Sequence, residues 1–397
     1  MKTRVAILKD SATRMLGLHG LHVAFRGLPN VEVVAHVDSN PADIDRKMAL
    51  TQARRHYADY IEMLDKERPD IVVLCSRHPA DHLAQIEVAA ERGCHIFCEK
   101  PLAADLLEAD RIVDLVDRHG IKLCVAHPAR YSLPYLAMKA MIERGDIGTP
   151  FTAYGRGKCD HRGGGEDLMV LGTHILDLQV FLFGAPTHVW ADVKTDGRPL
   201  VQTDRTDTVE PLGPTAGDDV FACINYPNGV RGVFESRRGI AAIQHGIVQM
   251  GLAVAGTEGV LSMPFNDAAK PVAKLRRSRF TPPLAWGIDY EDVPLVETRV
   301  APGAEPLDFS LCGQPGFDVP SAPFFMETHR FAVLDLMQAI ADDRQPVSNA
   351  REARTTLEII YAIYASSLTG RAIPIPLQDR GHPLVGADAS ATRKPKA

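Results

Sequence analysis

No stretch of the 397 residues approaches the roughly 20 consecutive apolar residues that a membrane helix needs, and the opening run Val5–Leu8 is too short for a signal peptide. Nor is there a basic stripe: 44 Lys and Arg stand against 50 Asp and Glu, for a formal net charge of −6. These absences exclude nucleic acid and anionic membranes as partners and lead us to expect a cytoplasmic protein. The seven cysteines are odd in number and sit mostly in apolar runs such as Val72–Cys75, so they read as small buried hydrophobes and not as a disulfide framework. Cys94 and Cys98 have no second pair at zinc spacing, and Asp160, His161, Asp167 and His174 follow no recognised ligand pattern, so no metal is expected. Also missing is the Gly-x-Gly-x-x-Gly turn that usually opens a dinucleotide fold.

What is present has the organisation of two domains and a tail, at residues 1–127, 128–380 and 381–397. In the first, short β-branched runs (Arg4–Leu8, Val31–Val37, Ile71–Cys75, His95–Cys98, Lys122–His127) alternate with amphipathic helices such as Ala80–Arg92 and Ala104–His119. That alternation predicts an α/β, doubly wound, Rossmann-type parallel sheet with its ligand crevice at the carboxyl ends of the strands. After Pro150 the pattern turns to hairpins. Asp219–Tyr226 and Val230–Ser236 flank Pro227-Asn228-Gly229, and 247–255 and Val260–Met263 flank Gly256–Gly259. With helices near Leu171–Phe183, Phe324–Ala341 and Ala350–Leu368, this predicts an α+β domain on an open, mainly antiparallel sheet. The proline-rich stretch Asp267–Ser321 is expected to form loops or an arm, and the tail to be mobile.

The loop after Leu8 offers Lys9, Ser11, Thr13 and Arg14 to phosphate, and Gly17 and Gly20 for close approach of backbone. An ordinary strand-to-helix loop reads equally well there. Asp38, ending the second strand, stands where a carboxylate accepts from ribose hydroxyls and so favours NAD over NADP; a turn or N-cap aspartate is the alternative. Arg162, with Arg156 and Lys158, forms a cationic stretch that could meet an acidic substrate group, or simply edge a solvated strand.

Glu99-Lys100-Pro101, the loop Ser76-Arg77-His78-Pro79 with His82, Arg130-Tyr131, Ile142 to Gly148, Gly163-Gly164-Gly165 through His174, and the ending Ala362 to Leu377 occur here together and in order. In that set the chain resembles the glucose-fructose oxidoreductase, inositol dehydrogenase and MocA (Gfo/Idh/MocA) family over nearly its whole length. The resemblance implies an NAD(P)-dependent dehydrogenase or reductase in which Lys100 contacts both cofactor and substrate hydroxyl and His174 is the active-site histidine. Ser76, Arg77, His78, His82 and Glu99 would then line the cofactor, and His127, Arg130 and Tyr131 the substrate. A lysine beside a cationic nicotinamide in a partly desolvated cleft has its pKa pushed down, so that it can accept the proton of an alcohol. One departure stands out: where dehydrogenases of the family usually carry an aspartate four residues before the histidine, this chain has Val170. Asp167 is expected to supply the missing carboxylate to His174 or to bind a substrate hydroxyl, and Glu166 could supply it too; the alternative role is a helix cap.

The expected reaction is hydride transfer at a secondary alcohol of a sugar, inositol or glycoside, with a small polyol or sugar-like substrate and a homodimer or homotetramer as the working assembly. A second reading keeps NAD tightly held for a transient oxidation that cleaves a glycosidic bond with no net redox. A third, a non-catalytic dinucleotide-binding sensor or scaffold, is opposed by the presence of Glu99, Lys100 and His174.

Overall fold

The structure is a computed structural model that describes residues 2–12, 19–206, 208, 212–240, 250–265, 275–279, 290–295 and 301–385. Thr13, Arg14, Gly17, the start of the strand expected at 247–255, parts of 267–321, and 386–397 of the tail lie outside the described residues.

Six parallel strands form the first sheet: β1 (Thr3–Leu8), β2 (Val31–Val37), β3 (Arg55–Tyr57), β4 (Ile71–Leu74), β5 (His95–Cys98) and β6 (Leu123–Val125), in the order β3-β2-β1-β4-β5-β6. The reversal of direction between β1 and β4 makes the switch point at which an open α/β sheet binds its ligand. Helices α1 (Ile44–Thr51), α2 (Tyr60–Glu67), α3 (His82–Ala90) and α4 (Leu106–His119) supply crossovers. The first crossover differs. Its described residues form a 3-10 turn at Leu21–Val23 and tight turns, with no α-helix among them.

After α5 (Leu133–Arg144) the chain enters a second sheet through β7 (Pro150–Arg156) and then forms α6 (Gly165–Val170) and α7 (Gly172–Phe183). The helix expected over Leu171–Phe183 is thus preceded by a second, short one. The strands that follow are β8 (His188–Thr195), β9 (Arg198–Pro199), β10 (Asp219–Asn225), β11 (Arg231–Arg237), β12 (Gly251–Gly256), β13 (Gly259–Pro264), β14 (Arg276–Ser278) and β15 (Glu291–Asp292). Helices α8 (Pro323–Ala341) and α9 (Ala350–Thr369) lead to β16 (Ile373–Pro374). This ten-stranded sheet is antiparallel except where β7 pairs with β11. Strict alternation of burial along β8 and β10 leaves one face open, as a half-solvated antiparallel sheet requires.

The chain does not stay within its second half. Ala332, Val333 and Leu336 of α8 pack into the same apolar cluster as Val5, Ile7 and Phe25, so a helix from the end of the chain covers the face that the first crossover leaves bare. This return, together with Tyr131 donating to Asp335 on α8 (3.0 Å), fastens the two sheets to each other beside the crevice.

Candidate active site

Lys100 follows β5 directly and is fully buried. Its Nζ donates to the carbonyl of Val170 at 2.5 Å. That acceptor is free because helical geometry breaks between α6 and α7: the His174 amide turns back to Leu171 O (3.0 Å), which leaves the carbonyl at the end of α6 without its i+4 donor. Val170 therefore does bring an oxygen to the lysine, through its backbone. Glu99 Oε2 accepts from the Lys100 amide (3.1 Å) and faces His19 Nδ1 (3.1 Å); His19 stacks on Phe325 with ring centroids 5.1 Å apart.

His174 sits in the first turn of α7, where its ring lies 5.3 Å from Phe265, 6.0 Å from His127 and 6.3 Å from His19 between centroids. Its Nδ1 is buried with no hydrogen-bond partner among the described residues. Burial, reinforced by Lys100 and the neighbouring imidazoles, holds its pKa well below the usual histidine value, so the ring is neutral near pH 7. His127, after β6, has Nδ1 at ion-pair distance from Asp177 Oδ1 (3.1 Å) and hydrogen-bonded to Ser348 Oγ (3.5 Å), and leaves Nε2 buried without a partner among the described residues.

Asp167 is not brought to His174. It lies in the first turn of α6 and turns toward the second sheet, where Oδ2 accepts from Ser236 Oγ (2.6 Å) on β11 and from the Lys158 amide (2.8 Å). A Cβ on Gly157 would lie 2.0 Å from that same oxygen, so this glycine is what lets the carboxylate lie against the backbone. Burial pushes the Asp167 carboxyl up to about 6 against those two hydrogen bonds. Asp167 thus ties the glycine-rich loop to the sheet.

Arg130 and Tyr131 are likewise spent on the fold. All five N–H groups of the Arg130 guanidinium are taken: Nε and Nη2 grip the Asp177 carboxylate at 2.7 Å each, Nη2 also reaches Asp177 O, and Nη1 reaches Val347 O and Glu352. The Tyr131 hydroxyl donates to Asp335 and accepts from the Ser348 amide. Arg162 folds back on Asp160 (2.9 Å).

On the cofactor side, His82 is a clamp whose ring nitrogens meet Leu102 O (3.0 Å) and Ser76 O (2.8 Å). Ser76 Oγ donates to Asp81 (2.6 Å), while Arg77 is buried near His19 and His78 keeps Nε2 without a partner among the described residues. Asp38 is fully buried at the end of β2. Its Oδ1 accepts from the Ser11 and Asn40 amides (3.0 and 2.9 Å), and Oδ2 forms an ion pair with Lys47 (2.7 Å) on α1. Burial acts to raise its pKa, but Lys47 and the backbone donors outweigh it, and the carboxylate stays ionised. Lys9, Ser11, His36, Asn40, Arg46 and Lys47 line a cavity of about 210 Å³ here.

A segment from the second half closes this cavity. Lys9 Nζ pairs with Asp318 (2.5 Å), His22 Nε2 meets Phe317 O (2.8 Å), and Arg46 lies over the Phe317 ring at 6.0 Å. Gly20, at φ 78°, lets the chain turn beneath Pro320. The crevice at the switch point, its buried polar atoms still open and its Asp38 at the second strand's end fit a dinucleotide laid from Asp38 toward Lys100. Lys47 and His19 carry no assignment from the sequence. Lys47 is nine residues beyond Asp38, on one turn-linked helix face, and His19 follows the loop where phosphate contacts were sought.

Residues 16–127 match the model described as "Oxidoreductase family, NAD-binding Rossmann fold", and residues 135–262 match the "GFO/IDH/MocA C-terminal domain". D-apiose dehydrogenase of Paraburkholderia graminis is 26% identical over 92% of this chain and 89% of its own length. Inositol 2-dehydrogenase 3 of Saccharopolyspora erythraea is 31% identical, but over only 41% of this chain and 46% of that protein. Among solved structures, levoglucosan dehydrogenase in complex with NADH and levoglucosan superposes with a TM-score of 0.69 at 21% identity, covering 95% of this chain and all of that one. Aldose-aldose oxidoreductase from Caulobacter crescentus, complexed with glycerol, gives 0.68 at 18% identity, covering 94% of this chain and all of that one.

Proposed function

Since the chain belongs to the Gfo/Idh/MocA family of NAD(P)-dependent dehydrogenases, we propose that it uses NAD to oxidise a secondary alcohol of a sugar, an inositol or a glycoside. The observation that carries this reading is Lys100, buried at the carboxyl end of β5 with Nζ donating to the Val170 carbonyl and with the imidazoles of His19, His127 and His174 near it. A bound dinucleotide supplies the hydride acceptor. Ser11, Asp38 and His78 would hold it, and Lys100 orients the hydroxyl and takes part in removing its proton. Neutral His174 offers a lone pair or an N–H to a second hydroxyl. The aromatic wall of Phe265 and Phe325 excludes water, which strengthens each of these interactions.

The test is NADH formation, followed at its near-ultraviolet absorbance, with D-apiose, myo-inositol and levoglucosan as probes. Lys100→Met keeps most of the side-chain stem, so NAD affinity should hold while turnover falls by about 10² or more, the scale of a lost general base. Unchanged turnover would remove Lys100 from the chemistry. A reading with transient oxidation and no net NADH is favoured by one observation, the segment around Asp318 that closes the adenosine end. Consumption of a glycoside without accumulated NADH is its signature.

We also propose that two copies pair through the open sheet face. Register places Tyr154, Val233, Cys223 and Trp190 in one apolar row across β7, β11, β10 and β8, with Tyr154 and Trp190 37% and 42% exposed. A neighbouring row carries Arg156 beside Glu235, whose opposite charges can exchange partners about a two-fold axis. Trp190→Glu should shift the mass measured by light scattering toward the monomer; an unchanged mass would place the interface elsewhere.

A further inference from the structure

The carboxylate and imidazole that a proton relay needs are both present, but on residues far apart in sequence. The Arg130 guanidinium grips the Asp177 carboxylate through two parallel hydrogen bonds of 2.7 Å inside the core. Asp177 Oδ1 also lies 3.1 Å from His127 Nδ1, at ion-pair distance, and a carboxylate oxygen that close favours the tautomer with the proton on Nδ1. Ser348 Oγ, at 3.5 Å, is the hydrogen-bond partner of that nitrogen and can accept its proton. Nε2 then holds the lone pair, and it is the atom of this ring with no partner among the described residues. The ring stands edge-on to His174, 6.0 Å away between centroids. His174 has no such orienting group: its Nδ1 meets no described partner, and Asp167 turns to Ser236 and Lys158 instead.

We propose that His127, oriented by Asp177, is a second catalytic base of this site: its Nε2 accepts a proton from the substrate hydroxyl, directly or by way of Lys100. Resting on the reading that an alcohol is oxidised by NAD, the step balances simply. The carbinol C–H pair leaves as hydride to the nicotinamide, the O–H proton forms imidazolium on His127, and the C–O bond becomes C=O. Asp177 stabilises that imidazolium and is a positioning residue, and Arg130 fixes it in place. The groups facing His127 are Asp177, which favours its charged form, Arg130 and Lys100, which oppose it, and Glu99, which favours it; burial dominates them all and keeps the ring neutral in the resting protein.

Nitrogen-15 histidine spectra of the full-length protein, with the His127 signals assigned by their loss in His127→Gln, read the tautomer without any substrate. The expected spectrum has Nδ1 protonated and Nε2 bare from pH 6 to 8. In Asp177→Asn, the amide can donate to Nδ1, so the tautomer should invert. Proton on Nε2 in the unmodified protein, or a tautomer indifferent to Asp177→Asn, overturns the proposal. If Asp177→Asn does not fold, His127→Gln decides. It leaves the Arg130–Asp177 pair in place and should cut kcat by about 10² or more with NAD affinity unchanged. Retention of kcat within threefold overturns the proposal. Failure of the unmodified protein to reduce NAD with D-apiose, myo-inositol or levoglucosan counts against the proposed function, and the tautomer still decides for or against the Asp177–His127 pair.

Discussion

The two ends of the crevice share one sheet edge and differ in how the chain treats its polar groups. At the adenosine end Asp38 is met by two amides, a hydroxyl and the Lys47 ammonium, and the segment carrying Asp318 lies over the cavity. At the reacting end, His127 Nε2 and His174 Nδ1 are buried with no described partner. Fully paired groups hold a shape; open ones in a dry site are costly to bury and are kept where a ligand or a proton is to be received. On the function proposed above, the carboxylate that binds is held by its partners while the imidazoles that react are left open; His36, which lines the Asp38 cavity with both ring nitrogens lacking a described partner, is the exception at that end.

Acid should break the contrast with the largest effect. His127 and His36 are lowered to about 4 and His329 to about 3, each chiefly by burial. With folded values below the unfolded value of about 6.5, each contributes stability that is fully present above that pH and lost as pH falls toward 4 and 3; shifts of about 2.5 to 3.5 units are roughly 3–5 kcal/mol per ring. The sum rivals the about 5–15 kcal/mol of a whole domain. We therefore expect cooperative acid unfolding between about pH 5 and 4 with uptake of several protons. Circular dichroism unchanged down to pH 4 would show that these rings are not buried neutral.

A smaller effect sharpens the contrast at the adenosine end. Asp38→Ala should weaken NAD binding by about 1–3 kcal/mol, the range for hydrogen bonds to a charged group. Lys47→Ala should act in the opposite sense on selectivity. It frees the Asp38 carboxylate for a ribose and removes a cation that a 2′-phosphate would use, so the ratio of NADP to NAD dissociation constants should rise. Calorimetric titration of both dinucleotides against both variants reads this directly, and NADP bound as tightly as NAD after Lys47→Ala would refute it.

The smallest effect belongs to Asp167, which sits near the reacting end yet is paired like a residue of the other. Asp167→Asn should leave kcat/KM within about threefold, as for a side chain touching neither substrate nor cofactor. Its carboxyl is raised to about 6 by burial, so it favours folding below the unfolded value and that contribution is lost as pH rises through about 6. The asparagine variant should lack this pH dependence of Tm. A hundredfold loss of activity would return Asp167 to the catalytic group.

The first sheet was legible because β4 and β5 are continuous apolar runs, Ile71–Leu74 and His95–Cys98, buried along nearly their whole length. The edge strand β3, Arg55–Tyr57, is two charged or polar residues and one aromatic; its pairing with β2 was invisible because edge strands need no apolar signal. Lys100 and His174 stand in local motifs and could be found as such. The Asp177–His127 pair could not, since the two residues are fifty positions apart and meet only when α7 packs against the 3-10 turn Pro128–Tyr131 that follows β6. For the same reason Arg130 and Tyr131 read as substrate contacts: a sequence shows the donor but not that every donor is already taken. Nor could the return of α8 to the first sheet be read, because its apolar stripe would serve either sheet equally.

The seam of Lys9 with Asp318 and of His22 with Phe317 joins residues about three hundred positions apart, directly over the adenosine cavity. Its consequence is kinetic. The cavity keeps its width only while those two contacts hold, so breaking the Lys9–Asp318 pair should loosen whatever is seated there and speed its exchange.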